Sequence, residues 1–164
     1  MSLKKVYLDN AATTPLAPEV AETMIPVLQN QFGNPSSTHS FGREVRGVVE
    51  TSRRKVANLL NITPGEIIFT SGATESNNLA IKSIARHYFE KDCQVITVKT
   101  EHKCVLESCH ELEQEGLSVH YLEVDEDGLI DLNQLEELLK QKKSLVSIMH
   151  ANNEIGVLHP IKEI

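Results

Sequence analysis

The sequence predicts an α/β fold, a mostly parallel sheet flanked by helices. Two observations predict it. Short apolar, β-rich runs (EIIFT, QVITVK and SLVSIMH among them) alternate with longer stretches whose apolar residues recur at helical spacing. Such alternation specifies parallel strands joined by crossover helices. The composition agrees: 164 residues, 40% hydrophobic and 24% charged, have a globular balance that excludes a disordered chain. A chain of this length buries roughly 70% of its unfolded surface, enough for one core.

Taken in order, Lys5 to Pro18 reads as a short extended stretch followed by Thr/Pro-rich irregular chain. Pro18 suits the first turn of a helix running to about Asn30, with Pro26 as a kink or an early end. Phe32 to Ser40 (FGNPSSTHS) is a polar loop, long for a passive connection and suited to carrying binding groups. Val45, Val48, Val49, Val56, Leu59 and Leu60 mark a helix from about Gly42 to Leu60. Glu66 to Thr70 reads as a buried strand. Glu75 to Phe89 is helical, Gln94 to Lys99 a strand, and Lys103 to Gly116 a helix stopped by its glycine. Leu117 to Glu123 is a strand. Asp131 caps a helix to about Gln141, with Gln134 placed for a capping box, and Ser144 to His150 is the last strand. Pro160 looks like the first position of a further helix, of which Ile161 to Ile164 would be one turn. One turn is unstable alone, so a truncated polypeptide is expected.

Charge and composition exclude several functions. With 16 basic and 23 acidic residues the net charge is −7, which argues against nucleic-acid binding. No apolar run approaches the ~20 residues of a membrane span, and the N-terminus lacks the apolar core of a signal peptide. Cys93, Cys104 and Cys109 give no disulfide framework, which suggests a reducing compartment and a cytoplasmic protein. Cys104 and Cys109 lie five apart, not at the usual close-paired zinc spacing, and no metal site is expected.

Ligands of parallel α/β sheets bind beyond the carboxyl ends of the strands. Ser71-Gly72-Ala73-Thr74-Glu75 follows EIIFT and opens a helix. Its small residues, hydroxyls and free N–H groups suit either a phosphate cup or ordinary N-capping. It is neither a Walker loop nor a Rossmann fingerprint, which disfavours nucleotides. His102 follows QVITVK, where an imidazole can stack on a ring or move a proton, or can simply be solvated. Asn152 and Asn153 follow SLVSIMH, as uncharged donors and acceptors or as turn residues. Polar, uncharged clusters at converging strand ends suggest a site for a small molecule with a phosphate and a ring.

YLDNAATTPL, FGNPSSTHSFG, EIIFTSGATESNNLAIK, TEHKCVLESC and VSIMHANNEIG follow one another in order. Together they resemble the N-terminal part of the NifS/IscS-type cysteine desulfurases, class V, fold-type I enzymes that use pyridoxal 5'-phosphate (PLP). The resemblance runs from Tyr7 to Ile161. It implies that Ala73 and Thr74 bind the PLP phosphate, and that His102 stacks on the pyridine ring and acts in proton transfer. It implies that Asn153 bonds the phenolic oxygen, and that Ala12, Thr13 and Asn34 shape the substrate side of the pocket. The implied reaction takes sulfur from L-cysteine, leaving L-alanine and an enzyme persulfide that feeds iron–sulfur cluster assembly or other acceptors. The implied partners are a second copy of the chain and a sulfur-acceptor or scaffold protein.

On that reading residues 1–164 are the N-terminal segment and the first part of the large PLP-binding domain. The rest of that domain and the small C-terminal domain are absent. The family's Schiff-base lysine, pyridinium aspartate and persulfide cysteine have no counterpart in these residues, so the isolated chain is expected to be inactive. Lys82 is expected to face solvent, and neither it nor Lys103 replaces that lysine. One alternative is a selenocysteine lyase or another class V enzyme. Another is a non-catalytic short product that binds a desulfurase partner.

Overall fold

The computed structural model describes residues 4–88 and 93–164. The chain divides into two units, one ending at Phe69 and one beginning at Thr70.

The first unit is helical. Irregular chain leads to α1 (Pro18–Asn30), with Pro18 in its first turn as expected. Pro26 does not end this helix. It removes one main-chain donor, and the carbonyl so freed lies on a helix with no buried residue, so it is not sealed from solvent. After the FGNPSSTHS loop comes α2 (Ser40–Leu60), N-capped by His39, whose Nδ1 accepts the Gly42 N–H at 3.3 Å. A Cβ on Gly42 would lie 2.4 Å from the Ser37 carbonyl oxygen and 2.6 Å from that of Asn34, so the loop packs on α2 only because this residue is glycine. The apolar spacing read for α2 does not mark a buried stripe. Only Gly42 and Ala57 are buried, while Val56, Leu59 and Leu60 are exposed.

The buried strand expected at Glu66–Thr70 is absent. Pro64–Glu66 is a 3₁₀ turn closed by a capping box from Thr63 and Glu66. The following chain pairs with no strand, because side chains and turns take its backbone groups. The Ile67 N–H bonds Pro64 O, and the Arg53 guanidinium bonds Ile67 O at 2.5 Å and lies over the Phe69 ring. Local β-propensity makes no strand without a neighbour to pair with.

The second unit carries the predicted alternation. Its elements are α3 (Ala73–Tyr88), β1 (Cys93–Val98), α4 (Lys103–Gln114), β2 (Ser118–Leu122), α5 (Leu132–Gln141) and β3 (Lys143–Val146). The expected end of α3 at Phe89 lies outside the described residues. All strand pairs are parallel, in the order β2-β1-β3, with Ile96 opposite His120 on one side and Val146 on the other. The central strand β1 is covered on both faces. Val95 packs with Ile81, Ala85, Val105, Cys109 and Leu112, the layer of α3 and α4. Ile96 and Val98 pack with Leu122, Ile130 and Leu135, the layer of α5. This two-residue alternation makes a β-run with nothing polar to show water. Gln94 is buried because its amide donates to Leu138 O at 2.6 Å and to Ser144 Oγ at 3.0 Å.

Cys104 and Cys109 are buried in that core, as expected of small apolar side chains, and Cys93 is half-buried. Lys82 does not face solvent. It is mostly covered and pairs with Glu111 across the α3–α4 contact, where Arg86 also reaches Glu111 at 2.9 Å. Asp131 caps α5 through the Asn133 N–H rather than through a box with Gln134. Pro160–Glu163 forms turns, not a helix.

β3 ends four residues before the predicted His150. The Met149 N–H goes to the Glu101 carboxylate at 2.5 Å, and side chains that capture backbone donors stop a ladder. The chain then folds into a small antiparallel loop. His159 N bonds His150 O and Asn152 N bonds Val157 O, with Gly156 turning at φ 72°.

Candidate functional site

The sheet has a topological switch point. From β1 the chain leaves through α4 to β2 on one side, while β3 arrives from α5 on the other. The loops beyond β1 and β3 therefore diverge and leave a crevice between them. That crevice is a cleft of about 300 Å³ lined by Thr100, Glu101, His102, Asn152, Asn153 and Glu154, with Lys99 and Lys103 on its wall. The volume matches the lower end of small-molecule sites.

Two buried side chains build the cleft. Asn152 is 7% exposed and ties the loop after β3 to the loop after β1: its Nδ2 donates to Thr100 O at 2.9 Å, and its Oδ1 accepts Glu154 N at 2.9 Å and Ile155 N at 3.0 Å. Glu101 is 8% exposed and bridges to Met149 N. The residues beside them face outward, and His102 and Asn153 are exposed. The adjacent asparagines thus divide the work: Asn152 fixes the loop and Asn153 is presented.

Burial pushes the Glu101 carboxyl up from its ordinary value, opposed by the Met149 and His102 N–H groups and by the nearby imidazoles of His159 and His102. A carboxyl whose folded pKa is raised adds stability that is fully present below its unfolded pKa. That stability is lost as pH rises through the folded value. Glu101→Gln keeps an acceptor for Met149 and removes the ionisation. The melting temperature of Glu101→Gln minus that of the parent is therefore expected to increase from about pH 4 to pH 7. A constant difference in a thermal-denaturation series would show that Glu101 does not titrate with folding.

His102 is also the N-cap of α4, its Nδ1 accepting the Cys104 N–H at 3.2 Å. Ala73 and Thr74 open α3 and are not among the residues lining the cleft. They stand one turn before Asn77, whose Nδ2 reaches Cys104 Sγ at 3.2 Å, so the starts of α3 and α4 are joined. The N–H groups of residues 73–75 precede the first helical bond, Ser76 N to Gly72 O, and among the described residues they meet no acceptor, which suits them to an anion. The Ser71 hydroxyl is not free, since it and the Ser71 N–H both donate to Glu75. Those two bonds hold the Glu75 carboxyl below its ordinary value.

Ala12, Thr13 and Asn34 belong to the first unit and are exposed. Ala12 N and Thr13 N close a turn onto Asp9 O, and Asn34 Oδ1 accepts the Ser36 N–H at 2.8 Å. Glu101 and Asn152 are the residues whose cleft-building work sequence reasoning missed. The pair Asn152-Asn153 was visible, but not which of the two is buried.

Residues 6–164 match the family described as aminotransferase class-V. The chain belongs to that family. The class-V chain is 56% identical over 162 residues to "Cysteine desulfurase, mitochondrial" of Drosophila melanogaster, covering 98% of itself and 35% of that protein. It is 53% identical over 160 residues to "Cysteine desulfurase IscS" of Rickettsia felis, covering 97% of itself and 39% of that protein. Among solved structures, a "NIFS-LIKE PROTEIN" superposes with a TM-score of 0.91 at 42% identity, over 98% of this chain and 44% of the other. "SspA in complex with cysteine" superposes with a TM-score of 0.85 at 42% identity, over 94% of this chain and 44% of the other. The class-V chain thus spans less than half the length of each of these proteins.

Proposed function

We propose that the chain supplies the N-terminal segment and first part of the large PLP-binding domain of a cysteine desulfurase acting on L-cysteine. The observation that carries this is the switch-point cleft, where buried Glu101 and Asn152 hold exposed His102 and Asn153 at the ends of adjacent strands.

The donor set fits PLP. A planar ring with a phenolic oxygen and a phosphate needs an aromatic stacking partner, a neutral amide and free N–H donors; His102, Asn153 and the start of α3 are of those types. When bound, PLP supplies an electron sink that weakens bonds at the substrate's α-carbon. His102 would stack on the ring and could pass a proton through its imidazole. Asn153 would bond the phenolic oxygen through its amide. Ala73 and Thr74 would hold the phosphate through their N–H groups and the Thr74 hydroxyl.

Sulfur leaves for an acceptor or scaffold protein in iron–sulfur assembly. A second copy of the chain would cover exposed apolar side chains of the first unit, such as Met24, Ile25, Leu28 and Leu59. A reducing compartment, the cytoplasm, suits three free thiols.

PLP titration of the 164-residue chain, followed by absorbance, tests the reading. Binding is expected to saturate without sulfide release from L-cysteine. His102→Ala and Asn153→Ala should each weaken binding by about 5- to 10-fold, the worth of roughly 1 kcal/mol of contact. Binding unaffected by both substitutions would put PLP elsewhere, and sulfide release would show a complete catalytic set within these residues.

A further inference from the structure

We propose that Cys104 is a positioning residue for His102. With Asn77 it forms a hydrogen-bond chain that places the imidazole proton on Nε2 and keeps Nδ1 unprotonated. This rests on the reading of His102 as a ligand-facing group. Cys104 is 6% exposed and is buried at the α3–α4 contact. Its Sγ has two polar neighbours: Asn77 Nδ2 at 3.2 Å and His102 Nδ1 at 3.0 Å.

The direction of the chain follows from which groups can only donate. The Asn77 amide nitrogen has hydrogens and no lone pair to offer, so Sγ accepts from it. The Cys104 backbone N–H also only donates, and it points at Nδ1 from 3.2 Å. A ring nitrogen that receives a backbone N–H cannot carry its own hydrogen in the same place, so Nδ1 is the acceptor. The thiol hydrogen then completes the sequence Asn77 N–H to Sγ, and S–H to Nδ1. The opposite arrangement, Nδ1–H donating to Sγ, would set that hydrogen against the Cys104 N–H.

Two consequences reach the cleft. Nε2 is the ring nitrogen left to exchange a proton with a ligand, so the tautomer is settled before anything binds. The ring is also tied to α3 through Asn77, one turn after Ala73 and Thr74. The start of α3 and the stacking imidazole therefore move together.

Two-bond proton–nitrogen spectra of the ¹⁵N-labelled 164-residue chain test this, at a pH of about 8, above the ordinary imidazole range. The parent should show His102 with a protonated Nε2 and an acceptor Nδ1. Cys104→Ser offers a hydroxyl to the same nitrogen and should keep that pattern. Cys104→Ala keeps only the backbone donor, and the minor tautomer should rise about threefold, the worth of one weak hydrogen bond. A protonated Nδ1 in the parent overturns the proposal. So does a Cys104→Ala spectrum identical to the parent's, which would leave the backbone amide alone in charge. If Cys104→Ala does not fold, Cys104→Val, which also keeps only the backbone donor and fills more of the buried space, replaces it with the same two outcomes. The spectra need no PLP, so this inference and the PLP reading fail separately: the same samples titrated with PLP report on the latter.

Discussion

Ile96→Ala is expected to destabilise the chain by about 2–5 kcal/mol, whereas Ile68→Ala should change stability by less than about 0.5 kcal/mol. Both isoleucines sit in short apolar runs that look alike on paper. Ile96 is fully buried at the centre of β1, with a hydrogen-bonded strand on each side and the α5 layer over it. Truncation there removes methylenes from a site whose walls are held by two ladders, so the cavity collapses little and the cost falls in the upper part of the range. Ile68 is 70% exposed and outside any ladder. Urea-denaturation midpoints of the two variants measure the contrast. Equal midpoints would contradict the exposure of Ile68.

The second large effect separates the adjacent asparagines. Asn152→Ala should cost about 3 kcal/mol, because it removes the three side-chain hydrogen bonds to Thr100 O, Glu154 N and Ile155 N at roughly 1 kcal/mol each. That side chain ties the loop after β3 to the one after β1, so the cleft should loosen and PLP affinity fall with stability. Asn153→Ala removes an exposed amide and should leave the melting temperature near the parent's while weakening PLP. The measurement is a thermal melt and a PLP titration on each variant. If Asn153→Ala lost as much stability as Asn152→Ala, the division between a fixing and a presenting asparagine would be wrong.

Helices α1, α4 and α5 could be read along the chain because capping and turn residues act within a few positions. Pro18, Asp131 and Gly116 each sit at or beside a boundary, whereas α2 was read from its apolar spacing and its His39 cap was not foreseen. The β1 run was legible for a related reason: a run with Val95, Ile96 and Val98 apolar on both faces fits the centre of a sheet. The EIIFT run failed because strand formation depends on a partner, and Arg53, 14 positions earlier, holds the Ile67 carbonyl instead. Lys82 failed likewise, since Glu111 lies 29 positions on.

The candidate site divides along the same line. His102 and Asn153 stand out from the sequence by position after strands and by resemblance. The cross-ties that hold them do not. Glu101 meets Met149 48 positions away, Asn152 meets Thr100 52 away, and Asn77 meets Cys104 27 away. Residue chemistry, local capping and burial pattern act over one or two turns of chain, and they sufficed for the α/β class, most helix limits and the family. Which asparagine is buried, where β3 stops and which imidazole nitrogen is engaged depend on contacts between distant segments. Such contacts exist only once the strands are in register and the helices are packed.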